Sequence, residues 1–138
     1  MRQLLAAYQQ YQAQAETIAR QIGLTQITAE GLDRAVAAVD ALEKAQDGQE
    51  MLVPIGSGSF VHGKLASKER VVLNVGAGVS IEKTAAEARE SLKSRRAEVA
   101  EGSKRLNEVL TKIDQEMQKL QAQLAKFEQQ GEGSEGVV

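Results

Sequence analysis

The chain has 138 residues, enough for one ordinary domain, a net charge of -2, no Cys, one Pro, two Tyr, two Phe and no Trp. The missing Cys excludes disulfides, thiolate metal sites and Cys nucleophiles, and so small a net charge gives no pull toward nucleic acid or an anionic membrane. So few rings suit an ordinary globular core poorly, whereas the abundant Ala, Gln, Glu, Leu and Lys suit long helices.

The N-terminal stretch MRQLLAAYQQYQAQ has too short an apolar run for a signal peptide, and no run approaches the roughly 18 residues a bilayer span needs. A soluble, cytoplasmic protein is expected. From residue 4 an alternating step of fours and threes gives Leu4, Tyr8, Tyr11, Ala15, Ile18, Ile22, Thr25, Ala29, Leu32, Val36 and Val39. All but Thr25 are apolar, and Gln, Glu, Arg and Asp lie between them, so residues 1–48 read as one long helix with a coiled-coil seam. Gly48 is the expected stop, just past the helix end. Gly23 and Gly31 weaken the middle and are candidates for a bend, since each Gly costs about 1 kcal/mol against Ala in a helix.

Residues 50–83 change period. Met51, Val53, Ile55, then Phe60, then Val71, Leu73, Val75, then Val79 and Ile81 alternate, as strands do. Gly56-Ser57-Gly58 and Gly76-Ala77-Gly78 interrupt where tight turns need a permissive backbone, and Pro54 fits a strand edge. Two β-hairpins are predicted, with the polar stretch ASKER (66–70) between them.

Thr84 followed by Glu87 is a capping-box signal for a second long helix, 84–130. Its stripe runs through Ala85, Ala88, Leu92, Arg95, Val99 and Gly102, slips phase near 106–110 as a stutter does, and continues through Leu110, Ile113, Met117, Leu120, Leu124 and Phe127. Residues 131–138, GEGSEGVV, read as a disordered tail. Two helices of about 45 residues, each roughly 70 Å long, must cover each other's stripes. Antiparallel pairing makes facing position numbers total a constant. Setting Asp47 opposite Thr84 makes it 131 and brings Leu4 to Phe127, Tyr11 to Leu120 and Ile18 to Ile113. The predicted fold is α+β: a long antiparallel coiled-coil hairpin with two β-hairpins at its connecting end.

The stretch GSFVHGKL (58–65) matches a phosphate loop at Gly58, Gly63 and Lys64, but Leu65 stands where a hydroxyl should hold magnesium. The residues from Phe60 continue as a strand, so no helix N-terminus is available to cradle a phosphate. The pattern G-x-G-x-x-G fails at Val61 and Ile81. His62 is the only histidine, which leaves a metal site or triad without a partner. The helix charges alternate in sign and read as a solvated face. No catalytic residue, cofactor or metal site is expected.

Isolated hairpins are marginal in water and leave open strand edges. With the helices engaged on each other, the hairpins should pair with those of other chains and close into an intermolecular β-barrel. Val53, Ile55, Phe60, Val71, Val72, Leu73, Val75, Val79 and Ile81 are the expected assembly residues.

The order helix, double hairpin, helix, with MLVPIGSGSFVHGKL (51–65) and VVLNVGAGVSIEKT (71–84), resembles the prefoldin alpha subunits of archaea. The resemblance implies a hexamer of two alpha and four beta subunits. It also implies a double β-barrel platform and coiled-coil arms whose tips capture unfolded clients without ATP and deliver them to a group II chaperonin. Here Leu4, Leu5, Tyr8, Leu124 and Phe127 would form the client-binding tip. The alternative is a structural scaffold, such as the filament-forming gamma prefoldins.

Overall fold

A computed structural model describes residues 1–135. The element order is α1 (Arg2–Lys44), β1 (Glu50–Gly56), β2 (Ser59–Lys64), β3 (Arg70–Gly76), β4 (Val79–Thr84) and α2 (Ala85–Glu135), an α+β architecture of two long helices and two β-hairpins. It divides into two compact units. One joins residues 1–28 to the stretch from Val99 onward, and the other is Ala29–Glu98.

All eleven seam positions of α1, from Leu4 to Val39, are half-buried or buried, whereas the Gln, Glu, Arg and Asp residues between them are exposed. The period-3.5 pattern therefore selects the covered face. α1 runs unbroken through Gly23 and Gly31, and the Thr25 and Thr28 hydroxyls donate to the carbonyls of Gln21 and Leu24 one turn back. The helix ends at Lys44, earlier than expected. Gly48 is not its cap: with φ +83° it turns the chain into β1, and its N–H donates to the Leu65 carbonyl at 2.7 Å. α2 begins as predicted, with the Thr84 hydroxyl accepting from the Glu87 N–H at 3.1 Å. It continues to Glu135, past the expected end at Gln130, so part of the stretch read as a tail is helical. Residues 136–138 of that expected tail lie outside the described residues.

In each unit the helices run antiparallel with cross-links that report their register. In the first, Gln121 donates to the Tyr8 hydroxyl at 3.0 Å. In the second, Arg89 bonds Asp40 at 2.7 Å and also Glu43, and Arg96 bonds Asp33 at 2.9 Å. The pairs Tyr8–Gln121, Asp33–Arg96 and Asp40–Arg89 each total 129, within two positions of the predicted 131. Glu43 is the main partner that raises the Arg89 pKa above its already high ordinary value, with Asp40 adding to it and partial desolvation opposing. The guanidinium thus stays charged and clamps the two helices.

The core of the second unit is small: Val39, Leu73, Ala85, Ala88 and Leu92 are buried, with Leu32, Ala35, Val36 and Val71 packed against them. Ala85 and Ala88 are the small residues that α2 buries here. The first unit buries Ile113 most deeply, on the same stripe.

Both hairpins are antiparallel two-stranded sheets with a register shift before the turn. The turn centres, Ser57-Gly58 and Ala77-Gly78, have φ of 51° and 73°, and 51° and 74°. Positive φ at both central residues is what a two-residue type I′ turn needs, and it matches the twist of the strands. Ser57 and Ala77 adopt it at a cost that glycine would avoid.

Candidate functional site

The false phosphate loop resolves into hairpin parts. Gly58 is a turn residue, while Gly63 and Lys64 end β2 opposite Met51 and Glu50. A Cβ on Gly63 would lie 3.2 Å from Val53 Cγ2, so glycine is there to let the neighbouring strand's side chains close over it. Among the described residues no group of three or more His, Asp or Glu could hold a metal ion, and no helix is long and apolar enough to cross a membrane.

Pairing register decides which side chains share a face. On the first hairpin Met51 and Val53 lie with Gly63 and Val61 on one face, and Leu52 and Pro54 lie with His62 and Phe60 on the other. Both faces carry large apolar residues, the second beside Glu50, His62 and Lys64, and every residue of β1 is exposed, with Leu52 at 58% and, on β2, Phe60 at 56%. The sequence pattern grouped Phe60 with Val53 and overlooked Leu52 and Val61, because period two marks one face of a strand and this hairpin uses both.

The second hairpin is built differently. Val71 and Leu73 share a face with Lys83 and Ile81, and that face meets the helices. Leu73 is only 6% exposed and belongs to the chain's own core, and Val71 packs beside it. These two residues, expected to serve assembly, are covered within the chain, where Leu73 clusters with Val39, Ala85, Ala88 and Leu92. Two polar ties hold the hairpin down. Arg95 donates to the Asn74 carbonyl at 2.7 Å, and Lys83 donates to the Ser91 hydroxyl at 3.2 Å. Arg95 stood on the apolar stripe of α2 in the sequence, and that misplaced charge was the available signal that something polar lay opposite. The other face carries Arg70, Val72, Asn74, Ser80, Glu82 and Thr84, with an Arg70–Glu82 ion pair at 3.5 Å. Val72, 69% exposed, is its one large apolar residue. Val75, Val79 and Ile81 are exposed toward the turn end.

Together the hairpins expose ten large apolar side chains: Met51, Leu52, Val53, Ile55, Phe60 and Val61 on the first, Val72, Val75, Val79 and Ile81 on the second. Full burial of such a side chain contributes about 1.5–3 kcal/mol, and half-exposed ones gain about half of that. Their sum, on the order of 10 kcal/mol, matches the cost of association only if most are covered together.

In the first unit the expected tip residues divide. Leu5 and Phe127 are exposed, at 48% and 46%, while Leu4, Tyr8 and Leu124 are half-buried on the stripe. Leu24, Ile27 and Val109 are exposed apolar residues that no seam count marks. Leu24 and Val109 border an open groove of about 530 Å³ beside Gly102.

A family model described as prefoldin subunit matches residues 11–130. The prefoldin subunit alpha of Methanothrix thermoacetophila is 63% identical over 106 residues, covering 77% of this chain and 69% of that protein. That of Methanosarcina mazei is 35% identical over 131 residues, covering 93% and 92%. Among solved structures, filamentous PFD from Methanocaldococcus jannaschii, determined by cryo-EM, superposes with a TM-score of 0.75 at 26% identity, covering 85% of this chain and 97% of that one. Helix–double hairpin–helix order, open hairpin faces and these relatives agree: the chain belongs to the prefoldin family of molecular chaperones, alongside the archaeal alpha subunits.

Proposed function

We propose that the chain is an alpha-type chaperone subunit that assembles through its hairpins with beta-type prefoldin subunits, two alpha with four beta, the strands closing into an intermolecular barrel. The observation that carries this is the first hairpin, which exposes Met51, Leu52, Val53, Ile55, Phe60 and Val61 over its two faces. Non-native polypeptide is held without ATP at the helix ends, where Leu5 and Phe127 offer apolar area and Leu4, Tyr8 and Leu124 widen the patch as the ends fray. Several such ends acting together bind through avidity, and the client passes to a group II chaperonin in the cytoplasm.

The test measures light scattering of an aggregating client beside the mass of the assembled complex. Leu5→Ser with Phe127→Ser is expected to weaken protection while the mass stays unchanged. Full protection by the doubly substituted, intact complex would place client binding elsewhere. A second reading, self-assembly into filaments, is favoured by the similarity to filamentous PFD. Open-ended polymers from the purified chain alone would support it over the hexamer.

A further inference from the structure

We propose that Asp47-Gly48 is a site of spontaneous isoaspartyl modification, and that the hydrogen bonds at the base of the first hairpin hold it shut. The chemistry belongs to the residue pair. The backbone nitrogen of the following residue attacks the aspartate Cγ, a C–N bond forms, and the carboxyl oxygen leaves as water. Water then opens the succinimide ring. Opening at the main-chain carbonyl gives isoaspartate, in which the side-chain methylene has become part of the backbone. A following glycine favours the attack, because no Cβ hinders its nitrogen and its backbone is permissive. Of the four aspartates only Asp47 precedes a glycine. Asp33, Asp40 and Asp114 lie inside α1 and α2, where the next N–H is engaged by the carbonyl one turn back. Asp47 and Gly48 are both exposed, so water reaches the pair.

In the folded chain both reacting groups are occupied. The Asp47 carboxylate accepts from the Lys68 N–H at 2.8 Å, and the Gly48 N–H donates to the Leu65 carbonyl at 2.7 Å. A third bond, from the Gln49 N–H to the Gln46 carbonyl at 3.0 Å, closes a turn around the pair. The carboxylate and the nitrogen are thus tied to different points of the 65–68 connection. Ring closure requires local opening of these bonds, and its rate falls with the population of the opened state.

The full chain is incubated in near-neutral buffer with and without guanidinium chloride. Peptide mapping with a protease that cuts before aspartate, but not before isoaspartate, reads the modification. Isoaspartate should form at residue 47 in the unfolded chain, and at least about tenfold more slowly in the folded one, the factor set by breaking two ordinary hydrogen bonds. Lys68→Pro deletes the donor to Asp47. With its helices verified by far-UV circular dichroism, it should react faster than the unsubstituted folded chain. Should Lys68→Pro fail to fold, Asp47→Asn decides: it closes the same ring with loss of ammonia, and its gain in mass on deamidation should also be at least about tenfold slower when folded. Equal rates in the folded and unfolded chain would overturn the proposal. So would an unmodified residue 47 in the unfolded chain, or an unchanged rate in folded Lys68→Pro.

Discussion

The two hairpins share strand lengths, antiparallel pairing, a register shift at the same place and nearly the same turn angles, yet they serve different ends. The second is docked: Leu73 enters the core, Arg95 and Lys83 tie it to α2, and its outer face is polar. The first is tied at its base, through Gly48 and Leu65 and through Asp47, whose carboxylate accepts from the Lys68 N–H at 2.8 Å. The difference teaches that the hairpin motif does not set its own role. What sets it is whether each face finds a complementary surface within the chain. Leu73 does, above Ala85 and Ala88; Leu52 and Phe60 do not.

The comparison breaks most sharply if charge is placed on each hairpin in turn. Leu52→Asp with Phe60→Asp should reduce affinity for a beta-type partner by at least a hundredfold, because two carboxylates would have to be buried unpaired. Helix content and thermal stability of the isolated chain should stay nearly unchanged, since neither side chain is covered there. Sedimentation velocity and circular dichroism give both readings, and a large fall in the stability of the isolated chain would show that the first hairpin is docked after all.

Leu73→Ala should do the reverse. A buried leucine truncated to alanine typically costs about 2–5 kcal/mol. The small core around Leu73 can partly relax, which places this site toward the lower end. Urea unfolding of the isolated chain should show the loss, and an unchanged midpoint would remove Leu73 from the core. A smaller effect sharpens the likeness of the turns. Ala77 holds a positive φ that asparagine tolerates better. Ala77→Asn should stabilise the second hairpin by up to about 1 kcal/mol, read as slower hydrogen exchange in β3 and β4. Because the turns match, Ser57→Asn should slow exchange in β1 and β2 alike. Faster exchange in either variant would contradict the turn assignment.

Much of this protein was legible in the amino-acid order alone, where a single chain's periodicity determines the outcome. The seam from Leu4 to Val39 marked the covered side of α1, because a 3.5-residue repeat places those side chains on one stripe wherever the helix goes. Thr84 and Glu87 marked the start of α2, and the Gly-x-Gly pairs marked the turns, because caps and positive φ are local requirements. The register near 131 followed from setting Asp47 opposite Thr84, which brought apolar residues together, and the Tyr8–Gln121 and Asp40–Arg89 bonds refine it by two positions. What the order could not carry was the destination of each strand face. Val71 and Leu73 look like Val53 and Ile55 in a row of alternating letters. Only the tertiary structure decides that the first pair meets an alanine-lined helix surface while the second faces solvent, because burial depends on what arrives opposite from far along the chain.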